Sequence, residues 1–354
     1  MMKKFQVFNI GVLLCVLLLI NLPHLFAQVS TTSEFENESD YPLIGNWTGT
    51  WTNPQIGYEK LIPEVVAQVN LVQGNTYSVC ILPKLNIRSV PFITVQVEEK
   101  EGAIHYKNDG WEFTFKDGNC TGAGDLHGHQ IAFNLKKDHF VSPTLGILPP
   151  DGAVVLFDGT NFDQWIHQDN RPVTWKLIKP DAMETVSAFW RNGQNRKEGI
   201  GGTIDTKQKF GDLNFHMEFR YSIDPGKSGQ GRGNSGLFFN GVGEIQILNS
   251  FALTGFWDDC GSIYKKHPPI VNAAGPPLVW QTYDVDLVMP GFDQNSGKKL
   301  SKGMLTVWLN GILIHNKLEM DFDSTQVSIG LQDHINALQF RNIWVKQISP
   351  STLP

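Results

Sequence analysis

The sequence predicts an all-β protein in which a small β-barrel or β-sandwich precedes a larger jelly-roll sandwich. Two observations predict this class. Few stretches show the periodicity of an amphipathic helix, whereas many short stretches alternate apolar and polar residues as half-buried strands do. Turn-forming Gly, Asn and Asp residues separate those stretches at short intervals.

The first 27 residues have the pattern of a secretory signal peptide. Lys3 and Lys4 precede an apolar run over residues 12–20, and Leu25-Phe26-Ala27 fits a cleavage site. The run is shorter than the roughly 20 apolar residues of a membrane span, so a membrane anchor is the weaker alternative. We therefore expect a periplasmic or extracellular protein without a membrane span.

Charge and composition favour carbohydrate as the partner. The formal charge is −6, and it becomes −8 when the signal peptide with its two lysines is removed. The chain has no basic block, so we do not expect it to bind nucleic acid. Its ten tryptophans suit carbohydrate, because aromatic faces stack on the apolar faces of sugar rings.

Three cysteines follow the signal peptide, so at most one intramolecular disulfide can form. Cys80 and Cys120 lie in the same N-terminal region and could pair in an oxidising compartment. The sequence leaves this pairing open. No spacing of Cys and His residues suggests a zinc site.

The chain divides into two β-rich units. We expect a flexible polar leader over residues 28–42 and an N-terminal accessory domain over residues 43–141. A Pro/Gly-rich linker over residues 142–153 follows, and then a jelly-roll domain over residues 154–348. The predicted strands of the first domain are 45–51, 64–72, 76–82, 92–98, 103–107, 111–115 and 130–135.

Eleven strands without helices in about 195 residues favour a jelly roll of two antiparallel sheets for the second domain. Asn310-Gly311 between two apolar stretches predicts a tight hairpin. The predicted strands are 154–157, 173–178, 186–190, 213–222, 235–240, 244–249, 282–288, 304–309, 312–315, 326–332 and 338–346.

The strand at 244–249 bears most directly on function. It resembles the Glu-x-Asp-x-x-Glu strand of laminarinase-type β-glucanases, whose first and last carboxylates are nucleophile and acid/base. Here Glu244 is present, but Gln246 and Asn249 occupy the other two positions. A retaining glycosidase needs two carboxyl groups roughly 5 Å apart, and this strand supplies one.

The second domain resembles the 3-keto-disaccharide hydrolase family, which has a concanavalin A-like jelly roll. The resemblance rests on motifs that occur in the family's order over about 190 residues. They are Leu156-Phe157-Asp158-Gly159, Glu218-Phe219-Arg220, Asn234-Ser235-Gly236, Glu244-Ile245-Gln246-Ile247-Leu248, Gly261-Ser262-Ile263-Tyr264, Trp280, Leu309-Asn310-Gly311, Gln332-Asp333-His334 and Phe340-Arg341-Asn342-Ile343. The linker and the unit before it also resemble an N-terminal extension of some members.

Strand alternation predicts which polar side chains share a face. If the apolar faces form the sandwich core, the polar faces make one concave surface that could bind sugar. We expect this surface to include Glu218, Asn234, Gln246 and Gln332 as substrate-binding residues, with Glu244, His334, Arg220 and Tyr264 as catalytic residues; His216 is a weaker candidate.

The resemblance implies a reaction that one carboxylate can serve. A ketone at C3 of a glucosyl unit acidifies the C2 proton, a base removes it, and the enolate expels the C1 substituent. Glu244 or His334 could be the base. Arg220, Tyr264 or a bound divalent cation could stabilise the enolate, and no other cofactor is expected. Hydrolysis, or elimination followed by hydration, gives the same sugars.

Three functions remain open on the sequence. The first is cleavage of 3-keto-glycosides, with the ketone made by another protein. The second is a carbohydrate-binding or adhesion module, and the third is an ordinary glycosidase, against which Gln246 and Asn249 argue. The sequence leaves the aglycone, the linkage, the metal requirement and the oligomeric state undecided.

Overall fold

The computed structural model describes residues 35–53, 55–56, 59–60, 62–126, 128–186 and 200–348. The predicted signal peptide and part of the predicted leader lie outside these residues. The described chain is almost entirely β structure, with short 3₁₀ helices at Glu38–Asp40 and Gly229–Gly231. The predicted all-β class is confirmed.

The N-terminal strands close into an antiparallel barrel in the order β1-β10-β9-β8-β7-β6-β5-β4. Strand β1 closes it by pairing with both β10 and β4. A separate two-strand hairpin, β2 with β3, lies between β1 and β4 in the chain. The strands are β1 (Gly45–Trp51), β2 (Gln55–Ile56), β3 (Glu59–Lys60), β4 (Glu64–Gln73), β5 (Thr76–Leu82), β6 (Ile93–Lys100), β7 (Ala103–Asn108), β8 (Trp111–Lys116), β9 (Asn119–Leu126) and β10 (His129–Lys137).

Aromatic side chains fill the barrel, and two glycines make room for them. Gly122 and Gly124 belong to β9, a strand that the sequence does not predict. A Cβ atom at Gly122 would lie 2.2 Å from the ring of Phe133, and one at Gly124 would lie 2.4 Å from the ring of Trp111. The glycines that suggest a loop in the sequence are therefore required by ring packing inside the barrel.

The second part of the chain forms a sandwich of two sheets. The larger sheet has the order β13-β14-β23-β16-β19-β20-β21, with β11 also paired to β23, and the smaller has the order β12-β15-β22-β17-β18. The strands are β11 (Val154–Phe157), β12 (Trp165–His167), β13 (Lys176–Ile178), β14 (Ala182–Glu184), β15 (Ile204–Thr206), β16 (Leu213–Tyr221), β17 (Ser235–Phe239), β18 (Gly243–Ile247), β19 (Gln281–Val288), β20 (Gly303–Leu309), β21 (Ile312–Met320), β22 (Ile329–Leu331) and β23 (Leu338–Gln347).

Alternating side chains of both sheets meet in one core. Phe215, Met217 and Phe219 of β16 point into it from the larger sheet, and Ile245 and Ile247 of β18 point into it from the smaller. The opposite side chains of these strands therefore face outward, on two different sides of the sandwich.

Most predicted strands of the sandwich coincide with strands of the structure. Three short strands of the structure were not predicted. Strands β12, β14 and β15 have three residues each, which is too short for a periodicity signal. Most of the strand predicted at 186–190 lies outside the described residues. The predicted hairpin is confirmed, with positive φ at Asn310 and Gly311 and pairing of Leu309 with Ile312.

The three described cysteines are free thiols and buried. Cys120 belongs to the barrel core, whereas Cys80 alternates with the core residues Val79 and Ile81 and faces away from it. The pairing of Cys80 with Cys120 is absent because the two side chains lie on opposite sides of the barrel wall. No helix among the described residues is long and apolar enough to cross a membrane.

Candidate active site

The outward face of the smaller sheet carries the one carboxylate that the sequence singles out. Glu244 and Gln246 alternate along β18 with the core residues Ile245 and Ile247, so they face away from the core. The neighbouring strand β17 pairs Gly236 with Gln246 and Phe238 with Glu244. This face is the candidate active site.

Glycines form the floor of this face. A Cβ atom at Gly236 would lie 2.3 Å from Oε1 of Glu244, so the carboxylate lies directly over that glycine. On the next strand, a Cβ atom at Gly330 would lie 2.6 Å from Oδ1 of Asp205. The absence of a side chain at these two positions, on neighbouring strands, allows acidic groups to settle against the sheet.

Glu244 combines partial burial with weak stabilisation of its charge. Its side chain is half-buried, and burial raises the pKa of Glu244 to about 7. The adjacent Gln246 amide can take two orientations. In one, Nε2 donates to Oε1 of Gln230 at 2.7 Å; in the other, the nitrogen donates to Oε1 of Glu244 at 3.2 Å. A carboxylate with a pKa near neutrality is suited to accept a proton.

A segment after β18 extends the smaller sheet and brings Tyr264 beside Glu244. The N–H of Gln246 donates to the carbonyl of Ser262 at 2.9 Å, and the N–H of Tyr264 donates to the carbonyl of Glu244 at 3.0 Å. Tyr264 is half-buried, and Nζ of Lys265 lies 5.0 Å from the centre of its ring. Tyr264 and Glu244 thus occupy neighbouring positions, as the sequence predicts.

Gln332 lies on the other side of Glu244. Its N–H donates to the carbonyl of Gly236 at 2.9 Å, and its own carbonyl accepts from Ser235 Oγ at 2.7 Å. Oε1 of Gln332 and Oγ of Ser262 are buried and have no hydrogen-bond partner among the described residues. Buried polar atoms in native proteins are normally hydrogen-bonded, so these two oxygens mark positions where a ligand or water would bind.

His334 and Asn234 lie at the same end of the smaller sheet. His334 is half-buried and follows Gln332 by two residues, in the segment that leaves β22. Asn234 precedes β17; its Nδ2 donates to Gln230 at 2.7 and 3.0 Å, and its N–H donates to Asn336. Asn234 therefore holds the loop before β17 in place.

The prediction of one shared polar surface is wrong for Glu218 and Arg220. Both lie on β16 in the larger sheet, so their outward face is on the opposite side of the sandwich from Glu244. His216 lies there too. Alternation shows which residues share a face within a strand, but both sheets alternate in the same way, and the strand order across them is not visible in the sequence.

Glu218 holds the interdomain linker. Its carboxylate accepts hydrogen bonds from the N–H of Gly146 at 2.6 Å, Nδ2 of Asn342 at 2.8 Å and Nε of Arg341 at 2.6 Å. Burial opposes ionisation of this carboxyl, but bonds from His216, Asn342 and Gly146 outweigh it and hold the pKa of Glu218 at about 2. The bonds from Gly146, Asn342 and Arg341 tie the linker and β23 to β16, so Glu218 is structural here.

His216 and Arg220 lie on the same outward face of the larger sheet as Glu218, and neighbouring side chains hold both in place. Nδ1 of His216 lies 2.6 Å from Asp284; burial lowers the pKa of His216, but Asp284 and Glu218 outweigh burial and raise it. Arg220 donates through Nε to Gln339 at 2.7 Å, and its guanidinium lies between the rings of Phe35 and Trp280. Arg220 therefore cannot stabilise an enolate formed at Glu244.

Among the described residues, no three His, Cys, Asp or Glu side chains converge to hold a metal ion. The outward face of the smaller sheet offers the carboxylates of Glu244 and, three strands along, Asp205, together with amide and hydroxyl oxygens from Gln332 and Ser262. This donor set suits sugar hydroxyls, or a hard cation that keeps several of its water ligands.

Sequence reasoning missed Gln230 and Ser262. Gln230 links Asn234 to Gln246, and Ser262 lies beside Gln246 in the added edge segment. Ser262 was visible as part of the motif that contains Tyr264. Gln230 belongs to a glycine-rich loop with no periodic pattern, so no local signal in the sequence could have placed it.

The model of the 3-keto-alpha-glucoside-1,2-lyase-like domain family matches residues 152–346. Among solved structures, a candidate glycosyl hydrolase from Parabacteroides distasonis ATCC 8503 is 26% identical, with a TM-score of 0.48, and the match covers 60% of this chain and 95% of that one.

A second candidate glycosyl hydrolase from that organism is 17% identical with a TM-score of 0.41, and the match covers 57% of this chain and 99% of that one. The alginate lyase vAL-1 from Chlorella virus is 12% identical with a TM-score of 0.27, over 48% of this chain and 85% of that one. No curated protein matches the chain.

Replacement of Glu218 by alanine should destabilise the protein strongly. The substitution removes the carboxylate that pairs with Nε of Arg341, and breaking a buried ion pair costs about 3–5 kcal/mol of unfolding free energy. The contribution of Glu218 is present above its unfolded pKa of 4.5 and is lost as the pH falls through the folded value of about 2. Chemical denaturation of wild type and Glu218→Ala between pH 7 and pH 2 measures the difference.

Glu319→Ala is the matched control, because Glu319 pairs with Lys302 at 2.9 Å on the exposed surface. Its midpoint of unfolding should stay near that of the wild type. Equal, small effects of both substitutions would contradict a structural role for Glu218.

Proposed function

Since the chain belongs to the 3-keto-alpha-glucoside-1,2-lyase-like family of glycoside-acting enzymes, we propose that it cleaves 3-keto-glycosides by abstraction of the C2 proton. The observation that carries this proposal is Glu244, a half-buried carboxylate with its pKa raised to about 7. The other carboxylate of this face, Asp205 of β15, lies over Gly330, with two strands between β15 and β18. A glycosidase of the double-displacement type needs two carboxyl groups near one another. An elimination needs one base.

Glu244 is the base in this proposal. It takes the proton from C2, whose electron pair forms the enolate with the C3 carbonyl. The enolate then expels the oxygen at C1, leaving a C1–C2 double bond, and the departing oxygen takes a proton. Addition of water across that double bond yields the free 3-keto sugar. Elimination followed by hydration therefore has the same net products as hydrolysis.

The neighbours of Glu244 are assigned by position. Tyr264 lies beside it and can donate its hydroxyl proton to the developing enolate oxygen. Gln332, whose Oε1 lacks a partner among the described residues, can accept from a sugar hydroxyl. His334, two residues further on, is assigned as the acid that protonates the leaving oxygen. Export to the periplasm or beyond, which the first 27 residues indicate, belongs to the same proposal.

Loss of the base Glu244 or of the acid His334 should slow turnover. We expect Glu244→Gln and His334→Ala each to lower turnover of a 3-keto-glucoside more than tenfold without unfolding the protein. Because the base works deprotonated, wild-type kcat/KM should rise with pH through about 7. Release of the aglycone, followed from pH 5 to pH 9 with and without divalent cations, measures both effects.

The absence of aglycone release by the wild type at any pH, with or without a divalent cation, would remove the proposal. Saturable binding of unoxidised glycan without turnover would favour a carbohydrate-binding module instead. Wild-type rates in Glu244→Gln and His334→Ala would place the reaction at another part of the molecule.

Gly236→Ala should impair catalysis through Glu244. The added methyl group would lie 2.3 Å from Oε1 and would push the carboxylate off the sheet. We expect kcat/KM to fall at least tenfold, and the double variant Gly236→Ala/Glu244→Gln to be no slower than Glu244→Gln alone. Gly211→Ala is the control, since its nearest contact is 3.7 Å away. An additive loss in the double variant would show that Gly236 acts otherwise.

A further inference from the structure

A cleft of about 620 Å³ lies between the barrel and the sandwich, outside the face that carries Glu244. One wall is the loop that joins β5 to β6 of the barrel, with Ile87 and Val90. The other wall comes from the sandwich loop after β18, with Leu253 and Phe256, and from Gln230. Its volume is in the range of pockets that hold small molecules, and such pockets favour interfaces between domains.

Hydrogen bonds hold the two walls together. The guanidinium of Arg88, in the barrel loop, donates to the carbonyls of Gly255 at 2.8 Å, Pro269 at 2.7 Å and Ile270 at 2.9 Å. Nδ2 of Asn272 donates to carbonyls of Ser250 and Leu253 within the sandwich loop. The cleft is therefore formed before a ligand arrives, which lowers the entropy lost on binding.

The cleft adjoins the candidate active site through one side chain. Gln230 lines the cleft, and its Oε1 lies 2.7 Å from Nε2 of Gln246. Gln246 is the next outward residue along β18 from Glu244, roughly 7 Å away along the strand. A substrate whose glucosyl unit lies over Glu244 with C1 directed toward Gln246 would thus place the group attached at C1 in the cleft.

The cleft exposes large apolar side chains that a soluble protein would otherwise bury. Val90 is 86% exposed and Phe256 is 59% exposed, and Ile87 and Leu253 are exposed as well. Covering exposed side chains of this size with a ligand removes apolar surface from water and so favours binding. Clustered exposed apolar groups of this kind mark binding sites.

Several polar groups between the apolar walls of the cleft are engaged within the protein. The Arg88 guanidinium and the Asn272 amide bind backbone carbonyls, and the Asp259 carboxylate accepts from Ser250 and the N–H of Phe256. Oγ of Ser89 is buried without a partner among the described residues. A second sugar would need a partner for each of its hydroxyls here, whereas an aromatic ring needs only apolar contact with the walls.

We propose that this cleft binds an aryl leaving group, so that the preferred substrates are 3-keto-glucosides of phenols. The proposal rests on the proposed function for the identity of the sugar, and on the apolar walls and engaged polar groups for the identity of the aglycone. The barrel thereby becomes part of the substrate-binding surface.

The kinetic test compares wild type with Val90→Ser and Phe256→Ala on three substrates of one anomeric configuration: phenyl and methyl 3-keto-glucosides and a 3-keto-disaccharide. We expect kcat/KM for the phenyl substrate to fall at least fivefold and that for the methyl substrate to change less than twofold. Each variant is compared with wild type on the same substrate, so intrinsic leaving-group reactivity cancels. Leu300→Ser, at an exposed position between β19 and β20, is the matched control and should change none of them.

An equal loss on the phenyl and methyl substrates would overturn the proposal, because the cleft would then not contact the leaving group. A loss confined to the disaccharide would overturn the assignment to aryl groups. Unchanged kinetics in both cleft variants would also overturn it.

Binding without turnover separates this proposal from the proposed function. Calorimetry with unoxidised phenyl glucoside should give at least fivefold weaker binding to Val90→Ser and Phe256→Ala than to wild type and Leu300→Ser. If no keto-glycoside is cleaved and this difference is still found, the proposed function falls and the aryl site stands. If keto-glycosides are cleaved and no difference is found, the aryl site alone falls.

Discussion

Glu244 keeps a half-buried carboxylate against the sheet because the neighbouring strand has a glycine at the position below it. A side chain at Gly236 would occupy the space that Oε1 now fills. Burial without a compensating cation is what raises the pKa of Glu244 to about 7. Glu218 is more deeply buried and yet acidic, because His216, Asn342 and Gly146 donate hydrogen bonds to its carboxylate and Arg341 adds a positive charge beside it.

The two outward faces of the sandwich therefore have different tasks. The larger sheet receives the linker, through Glu218 and Asn342, and holds Arg220 between aromatic rings. The smaller sheet leaves oxygen atoms of Gln332 and Ser262 without described partners around one carboxylate. Polar groups that are fully paired stabilise the fold, and polar groups that are left unpaired are available to a ligand.

Local pattern predicted the all-β class, the long strands and the Asn310-Gly311 hairpin, because these depend on alternation and turn chemistry along a few residues. It did not predict β9, because the glycines there are required by the rings of Phe133 and Trp111 from other strands. It grouped Glu244 with Tyr264 and Gln332, and the structure places these three residues on one sheet or its edge. It wrongly added Glu218 and Arg220, because the order of strands in two sheets depends on contacts far apart in the chain.

The contact between the barrel and the sandwich also has an evolutionary consequence. Arg88 fastens a loop of the appended module to the rim beside the candidate active site. Mutations or length changes confined to that loop could retune which molecules are accepted while every reacting group stays where it is. Selectivity and chemistry would then diversify independently, one in the barrel and the other in the smaller sheet of the sandwich.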